Sequence, residues 1–251
     1  MEHRLIDFEN TKYLDVGSGQ PVVLLHGLFG SLSNFNTVID ALKSKYRVIL
    51  PVLPLYTCDL RNANMDGLLE FINRFFNSLE LKNITLIGNS LGGHLALKYV
   101  LEFPENVKEI VLTGSSGLFE NSLGNSYPKR DRESIKSKIG ETFGDPKHVT
   151  EELVDDVLEI ISNKSKLLRI LSLAKSATRQ NLNYELNKIA KPTLLIWGQN
   201  DLITPPFVAE QFKEKIKGSE LYFIDTCGHA PMMEQPEAFL RYLVAFLEKN
   251  N

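Results

Sequence analysis

The chain has 251 residues, 43% hydrophobic and 24% charged, with Gly 16 and Pro 11, a composition that excludes collagen, coiled-coil and disordered classes. Lys+Arg 28 against Asp+Glu 31 gives a formal net charge of -3, so no global positive field attracts nucleic acid or anionic lipid. The length admits either one large domain or two small ones.

Cys58 and Cys227 are too few for a disulfide framework and stand in no zinc-binding spacing, which fits a reducing compartment and no metal. The first eight residues are charged and lack the apolar core of a signal peptide. No apolar run approaches the roughly 18 residues of a membrane span. The expectation is a cytoplasmic protein without a membrane partner.

In chain order, residues 3–8 and 11–16 alternate in polarity and predict an antiparallel hairpin at a sheet edge. Short runs of Val, Ile and Leu follow at 21–26, 47–50, 84–87, 109–113, 193–197 and 221–224. Continuous apolar runs of this length belong to strands covered on both faces, as in a parallel sheet. Residues 65–81 and 91–103 carry apolar groups at helical spacing between them, and this alternation predicts an α/β architecture. The strand signal disappears between Leu118 and Pro192, where helical patterns at 151–161 and 167–177 follow one another. The predicted organisation is therefore a core of residues 1–117 and 193–251 interrupted by an all-helical insertion at 118–192.

Gly88-Asn89-Ser90-Leu91-Gly92 matches GxSxG between a predicted strand and a predicted helix, the context in which that motif presents a nucleophilic serine. A serine hydroxyl needs a base, and His229 stands in a loop directly after the last strand, on the side of the sheet where Ser90 emerges. His3 and His148 fall in the edge and the insertion, and His94 lies on the helix behind Ser90 with a structural reading. The base needs an anion to orient it. Asp201, just beyond the next-to-last strand, completes the order Ser, Asp, His; Asp225 is the competitor, and a helix-capping turn is the structural alternative for Asp201. The oxyanion formed on an acyl carbonyl needs two amides. Leu91 follows the nucleophile, and Leu28 in His26-Gly27-Leu28-Phe29-Gly30 is the second choice, with Phe29 its neighbour. That loop has neither GxGxxG nor GKS/T, which argues against a nucleotide.

Together, HGLFG, GNSLGG, WGQND and CGH resemble the α/β-hydrolase superfamily from about residue 21 to the C-terminus, apart from the insertion. The resemblance implies a mostly parallel sheet of about eight strands with a helical cap after the sixth, roofing a pocket to which Phe29, Leu118, Phe119 and Phe143 contribute. Ser90 stands where dehalogenase and epoxide-hydrolase relatives carry aspartate, so those activities are excluded. Gly88-Asn89-Ser90 and Ser115-Ser116-Gly117-Leu118 are similar to carbon-carbon hydrolases of aromatic-ring degradation, but Ala230 replaces the tryptophan usual after the histidine. HGLFGS resembles small acyl esterases. Residues 51–56 also lack the aspartate and glycine-rich turn frequent in relatives, which predicts a reshaped pocket edge.

The resulting expectation is a serine esterase acting on a small molecule, without cofactor or metal. A carbon-carbon hydrolase is the runner-up, and a non-catalytic small-molecule receptor on the same fold is the alternative of another class.

Overall fold

Successive side chains of a strand point to opposite faces of its sheet, and the central runs use both faces for burial. In 21–25, Val23 and Leu25 enter one apolar cluster while Val22 and Leu24 enter another, and residues 194–197 divide in the same way. Fully burying such a side chain contributes about 1.5–3 kcal/mol. Two helical layers are needed to cover the two faces.

The computed structural model describes residues 4–30, 32–121 and 131–250, so His3, at the head of the expected hairpin, and Ser31, at the end of HGLFGS, lie outside the described residues. The strands are β1 (Ile6–Phe8), β2 (Thr11–Val16), β3 (Pro21–Leu25), β4 (Arg47–Pro51), β5 (Ile84–Asn89), β6 (Val107–Thr113), β7 (Thr193–Gly198) and β8 (Glu220–Ile224). They form one sheet in the order β1-β2-β4-β3-β5-β6-β7-β8. β1 and β2 make the antiparallel edge hairpin, and β2 also pairs antiparallel with β4. Every pairing from β4 through β8 is parallel.

Helices α1 (Asn36–Leu42) and α9 (Pro236–Lys249) cover one face, and α2 (Met65–Ser78), α3 (Leu91–Glu102) and α7 (Pro206–Lys215) cover the other. A short helix, α8 (Pro231–Glu234), precedes α9. This is the mostly parallel, eight-stranded α/β sheet that the sequence predicts.

Between β6 and β7 lie α4 (Arg132–Gly140), α5 (Glu151–Ser162) and α6 (Lys164–Arg179). Thr150 and Asn163 cap α5 and α6 by accepting from amides of the first turn. Ile135, Ile139, Val154, Val157 and Ile161 form a small core of this segment, against which Phe29 and Phe143 pack. The segment is fastened to the sheet layers at its far end, where Ser176 Oγ accepts from the Met65 amide at 3.0 Å and Arg169 Nε donates to the Cys58 carbonyl at 2.6 Å. Because the inner strands run parallel, the loops after β3, β5, β7 and β8 converge at one end of the sheet, beneath these helices.

Candidate active site

β5 ends at Asn89 and α3 begins at Leu91, so Ser90 alone reverses the chain, at φ 56° and ψ -120°. A non-glycine residue held there costs about 1–3 kcal/mol. Surrounding hydrogen bonds over-determine it: the Ser90 amide donates to the Thr113 carbonyl at 3.1 Å, and the Ser90 carbonyl accepts from Gly93 at 3.0 Å and Ser116 at 3.2 Å. A Cβ on Gly92 would collide with the Leu25 carbonyl oxygen. The second glycine of the motif is thus required by the closeness of β3 to α3.

His229 lies in the loop after β8 and is 6% exposed. Its Nδ1 donates to the Asp201 carboxylate at 2.9 Å to Oδ2 and 3.1 Å to Oδ1. Asp201, after β7, is fixed in turn by the amides of Ile203 and Thr204, both at 2.9 Å, and by the Thr204 hydroxyl at 2.9 Å. Asp201 thus makes a turn with Ile203 and Thr204 while it holds the histidine, but it does not cap α7, whose N-cap is Pro205 without a side-chain bond. Burial opposes protonation of His229, but the charge and hydrogen bond of Asp201, with smaller help from Glu120 and Glu234, hold the imidazole above the ordinary histidine range. Gly114, at φ 51°, passes beneath the ring, where a Cβ would stand 2.8 Å from Nδ1.

The loop after β3 is held from residues 51–56. His26 is 2% exposed; its Nδ1 donates to the Gly27 carbonyl at 2.9 Å, and its Nε2 accepts from the Leu53 amide at 3.0 Å. Burial lowers its pKa, and the two bonds require the neutral ring. The Tyr56 hydroxyl donates to the Leu28 carbonyl at 2.9 Å, and burial raises its pKa. The departure noted at 51–56 thus supplies two anchors for the loop. Leu91 is the first residue of α3, where amides have no partner within the helix and the dipole favours negative charge.

Ser90 and His229 line one cavity of about 250 Å³ with Gly27, Leu28 and Phe29. Its roof is apolar, with Ile139 from α4, Val157 and Ile161 from α5, and Ile170, Leu171 and Ala174 from α6. Phe29 and Phe143 stand in the lining as expected, but Leu118 and Phe119 do not. Leu118 packs against the main core, and Phe119 turns outward, 44% exposed, with its ring 5.4 Å from that of Phe207. Contact with α7 claims the aromatic face that the pocket was expected to hold. Asp225 is exposed, away from His229. His94 is fully buried on α3 and its pKa is pushed down to about 4 by burial, while the His148 ring lies tilted against Phe143 at 5.7 Å.

The alpha/beta hydrolase fold family model matches residues 20–141 and 156–236. This chain belongs to the α/β-hydrolase family. It is 30% identical over 258 residues to the 2-hydroxy-6-oxononadienedioate/2-hydroxy-6-oxononatrienedioate hydrolase of Escherichia coli O81 (strain ED1a), covering 94% of this chain and 90% of that one. It is 29% identical over 244 residues to the dihydrolipoyllysine-residue acetyltransferase component of an acetoin cleaving system of Pseudomonas putida; the match covers 92% of this chain and only 64% of that relative's length. Among solved structures it is similar to MGS-MChE2, an alpha/beta hydrolase enzyme from the metagenome of lagoon sediments at Mar Chica, Morocco, at TM-score 0.81 and 40% identity over 98% of both chains. It is also similar to the esterase EaEST of Exiguobacterium antarcticum, at TM-score 0.81 and 27% identity, covering 98% of this chain and 100% of that one.

The site of this α/β hydrolase contains three groups that its motifs do not name. Thr204 braces Asp201. Glu234, in α8, accepts from the amides of Gly228 at 3.0 Å, Ala230 at 3.2 Å and Gly144 at 2.7 Å, so one buried carboxylate ties the His229 loop to the helical segment. Glu120 puts a carboxyl into the cavity wall. A short Asp-x-x-Thr spacing was the one available signal for Thr204; the glutamates carry none. Among the described residues no cluster of His, Cys, Asp and Glu is arranged to hold a metal, and no helix is long and apolar enough to cross a membrane.

Proposed function

We propose that this hydrolase cleaves a carboxylic ester with an uncharged, apolar acyl group through an acyl-enzyme. Ser90 Oγ attacks the carbonyl carbon as His229 removes its proton. Asp201 holds the imidazole with Nδ1 protonated and steadies the imidazolium. The amides of Leu28 and Leu91 receive the oxyanion; losing one such donor costs about 10²–10³ in rate. His229 returns its proton to the departing alcohol, and water repeats the sequence to free the acid. The cycle uses no metal or organic cofactor.

The observation that carries this reading is the cavity itself: an apolar roof over a serine and a carboxylate-bound histidine. Such a space favours an aliphatic acyl chain that sheds water on binding. The test is Ser90→Ala with p-nitrophenyl butyrate, where kcat should fall by about 10⁵–10⁶-fold. Full activity in that variant would sink the proposal. Failure of the wild type to react with a fluorophosphonate probe at Ser90 would favour the non-catalytic receptor instead.

A second reading, carbon-carbon bond hydrolysis, is favoured by the 30% identity to the dienedioate hydrolase. A dienedioate carries two carboxylates, and a buried anion needs a cation or donors. Among the described lining residues the cation is Lys138, already held by Glu141 at 2.5 Å, and Glu120 adds a like charge. The lining therefore suits a neutral ester better.

A further inference from the structure

The two ends of the cavity differ in chemistry. The walls from α5 and Phe29 are apolar and α4 adds Ile135 and Ile139 beside Lys138, whereas Glu120, Asn121 and Thr178 bring polar groups, with Glu120 near enough for its charge to act on His229. Proton transfer decides which half of an ester occupies which end. The general acid must reach the departing oxygen, so the alcohol half lies beside His229 and the acyl chain extends beneath the helices. Asp201 is 1% exposed and spent on Nδ1, Ile203 and Thr204. Glu120 is the carboxyl that faces the alcohol end.

Building on the ester reading, we propose that Glu120 determines specificity for the leaving alcohol by accepting a hydrogen bond from a hydroxyl on it, so that preferred substrates are monoesters of a diol or polyol. The Glu120 carboxyl lies beside the Thr178 hydroxyl, which gives its own proton to the Ala174 carbonyl at 3.1 Å. A carboxylate offers about four acceptor positions, and those turned toward the cavity can take a donor from a ligand. Lys138 is paired with Glu141 and does not neutralise it. Burial pushes the Glu120 carboxyl toward protonation, and both protonation states accept from a hydroxyl. An anionic alcohol would be repelled by the Glu120 carboxylate.

In the acylation step the bond from Ser90 Oγ to the acyl carbon forms and the acyl bond to the alcohol oxygen breaks. The Ser90 proton passes through His229 to that oxygen, and the free diol leaves as its second hydroxyl parts from Glu120.

The experiment compares kcat/KM for propyl butyrate, 2,3-dihydroxypropyl butyrate and the anionic carboxymethyl butyrate in the wild type, Glu120→Ala and Glu120→Gln. The wild type should favour the dihydroxypropyl over the propyl ester by about tenfold or more, because a site built to bond a hydroxyl discriminates against its absence. That ratio should fall close to one in Glu120→Ala. Glu120→Gln keeps an acceptor oxygen but removes the charge, so it should retain part of the preference and admit the carboxymethyl ester that the wild type excludes. If Glu120→Ala does not fold, the near-isosteric Gln variant carries the test through this second readout. A wild-type ratio near one, or parallel loss on both neutral esters in Glu120→Ala, overturns the proposal. Propyl butyrate hydrolysis that Ser90→Ala abolishes would leave the ester reading standing in either case; hydrolysis of none of the three esters by the wild type would overturn both.

Discussion

The floor of the cavity and its roof are built on opposite plans. On the floor, each group is held by short, buried, directional bonds: Asp201 by two amides and a hydroxyl, His229 by Asp201, the His229 loop by Glu234, and the loop after β3 by His26 and Tyr56. The roof packs mainly through apolar side chains, with hydrogen bonds only where it joins the rest of the chain. Several of its charged pairs face solvent, such as Lys136 with Glu151 and Lys166 with Glu159, both at 2.6 Å, where water screens them and they add little. Hydrogen bonds fix a position to a fraction of an ångström, whereas apolar packing tolerates exchange if volume is conserved. The floor therefore suits fixed chemistry and the roof suits adjustable selection, and substitutions in the two should fail in different ways.

The sharpest break of the floor is Asp201→Asn. The amide side chain can still accept from Ile203 and Thr204, but it no longer holds Nδ1 protonated, and kcat on p-nitrophenyl butyrate should fall by about 10⁴-fold. Asp225→Asn alters an exposed residue outside the site and should leave kcat within about twofold of wild type. Equal losses in the two variants would remove Asp201 from its proposed role.

A smaller effect is expected one layer out, at Glu234. Its carboxylate joins Asp201 and Glu120 in raising the pKa of His229. The proposed base works only when neutral, so kcat/KM should rise with pH through an apparent pKa above about 6.5, the unperturbed histidine value. Glu234→Gln removes one of the negative charges, which lowers that pKa and moves the acid limb toward lower pH. It also sets an amide donor against backbone N–H groups, so the alkaline plateau should drop about tenfold through misplacement of the ring, less than the roughly 10²–10⁴ that loss of a positioned acid or base costs. The pH profile separates the two consequences. An unmoved limb with an unchanged plateau would show that the clamp has no bearing on the base.

What the sequence made legible follows the same division. The convergence of Ser90, His229 and Asp201 was readable because each sits at the end of an apolar strand run, and the order of three such runs limits which loops can meet. Glu234 was not readable, because its partners are amides of Gly144, Gly228 and Ala230 that only the fold brings together. The residue pair Phe119-Glu120 failed in an instructive way. An aromatic was expected inside, yet Phe119 covers Phe207 on the surface and its neighbour, the charged one, enters the cavity. Hydropathy predicts average burial but not which of two adjacent side chains turns inward when an outer helix offers the aromatic a competing face. Helix α4 was also absent from the expectation, because only Ile135 and Ile139 mark its buried stripe.

The roof gives the mildest expected effect and the most selective one. Ala174 sits on α6 in the cavity wall, and Ala174→Leu keeps a strong helix former there while placing three carbons into the space proposed for the acyl chain. No floor contact is touched, so kcat for an acetyl ester should stay within about twofold of wild type. For an octanoyl ester the lost volume competes directly with the substrate, and kcat/KM relative to acetyl should fall about tenfold, the scale set by one or two misplaced methylenes in an apolar pocket. The corresponding addition on the floor has no such latitude, since a Cβ at Gly27 would meet Ser90 Cβ at 3.0 Å. If Ala174→Leu lowers the acetyl and octanoyl rates equally, the acyl chain does not run beneath α6, and the division of labour between floor and roof fails at that point.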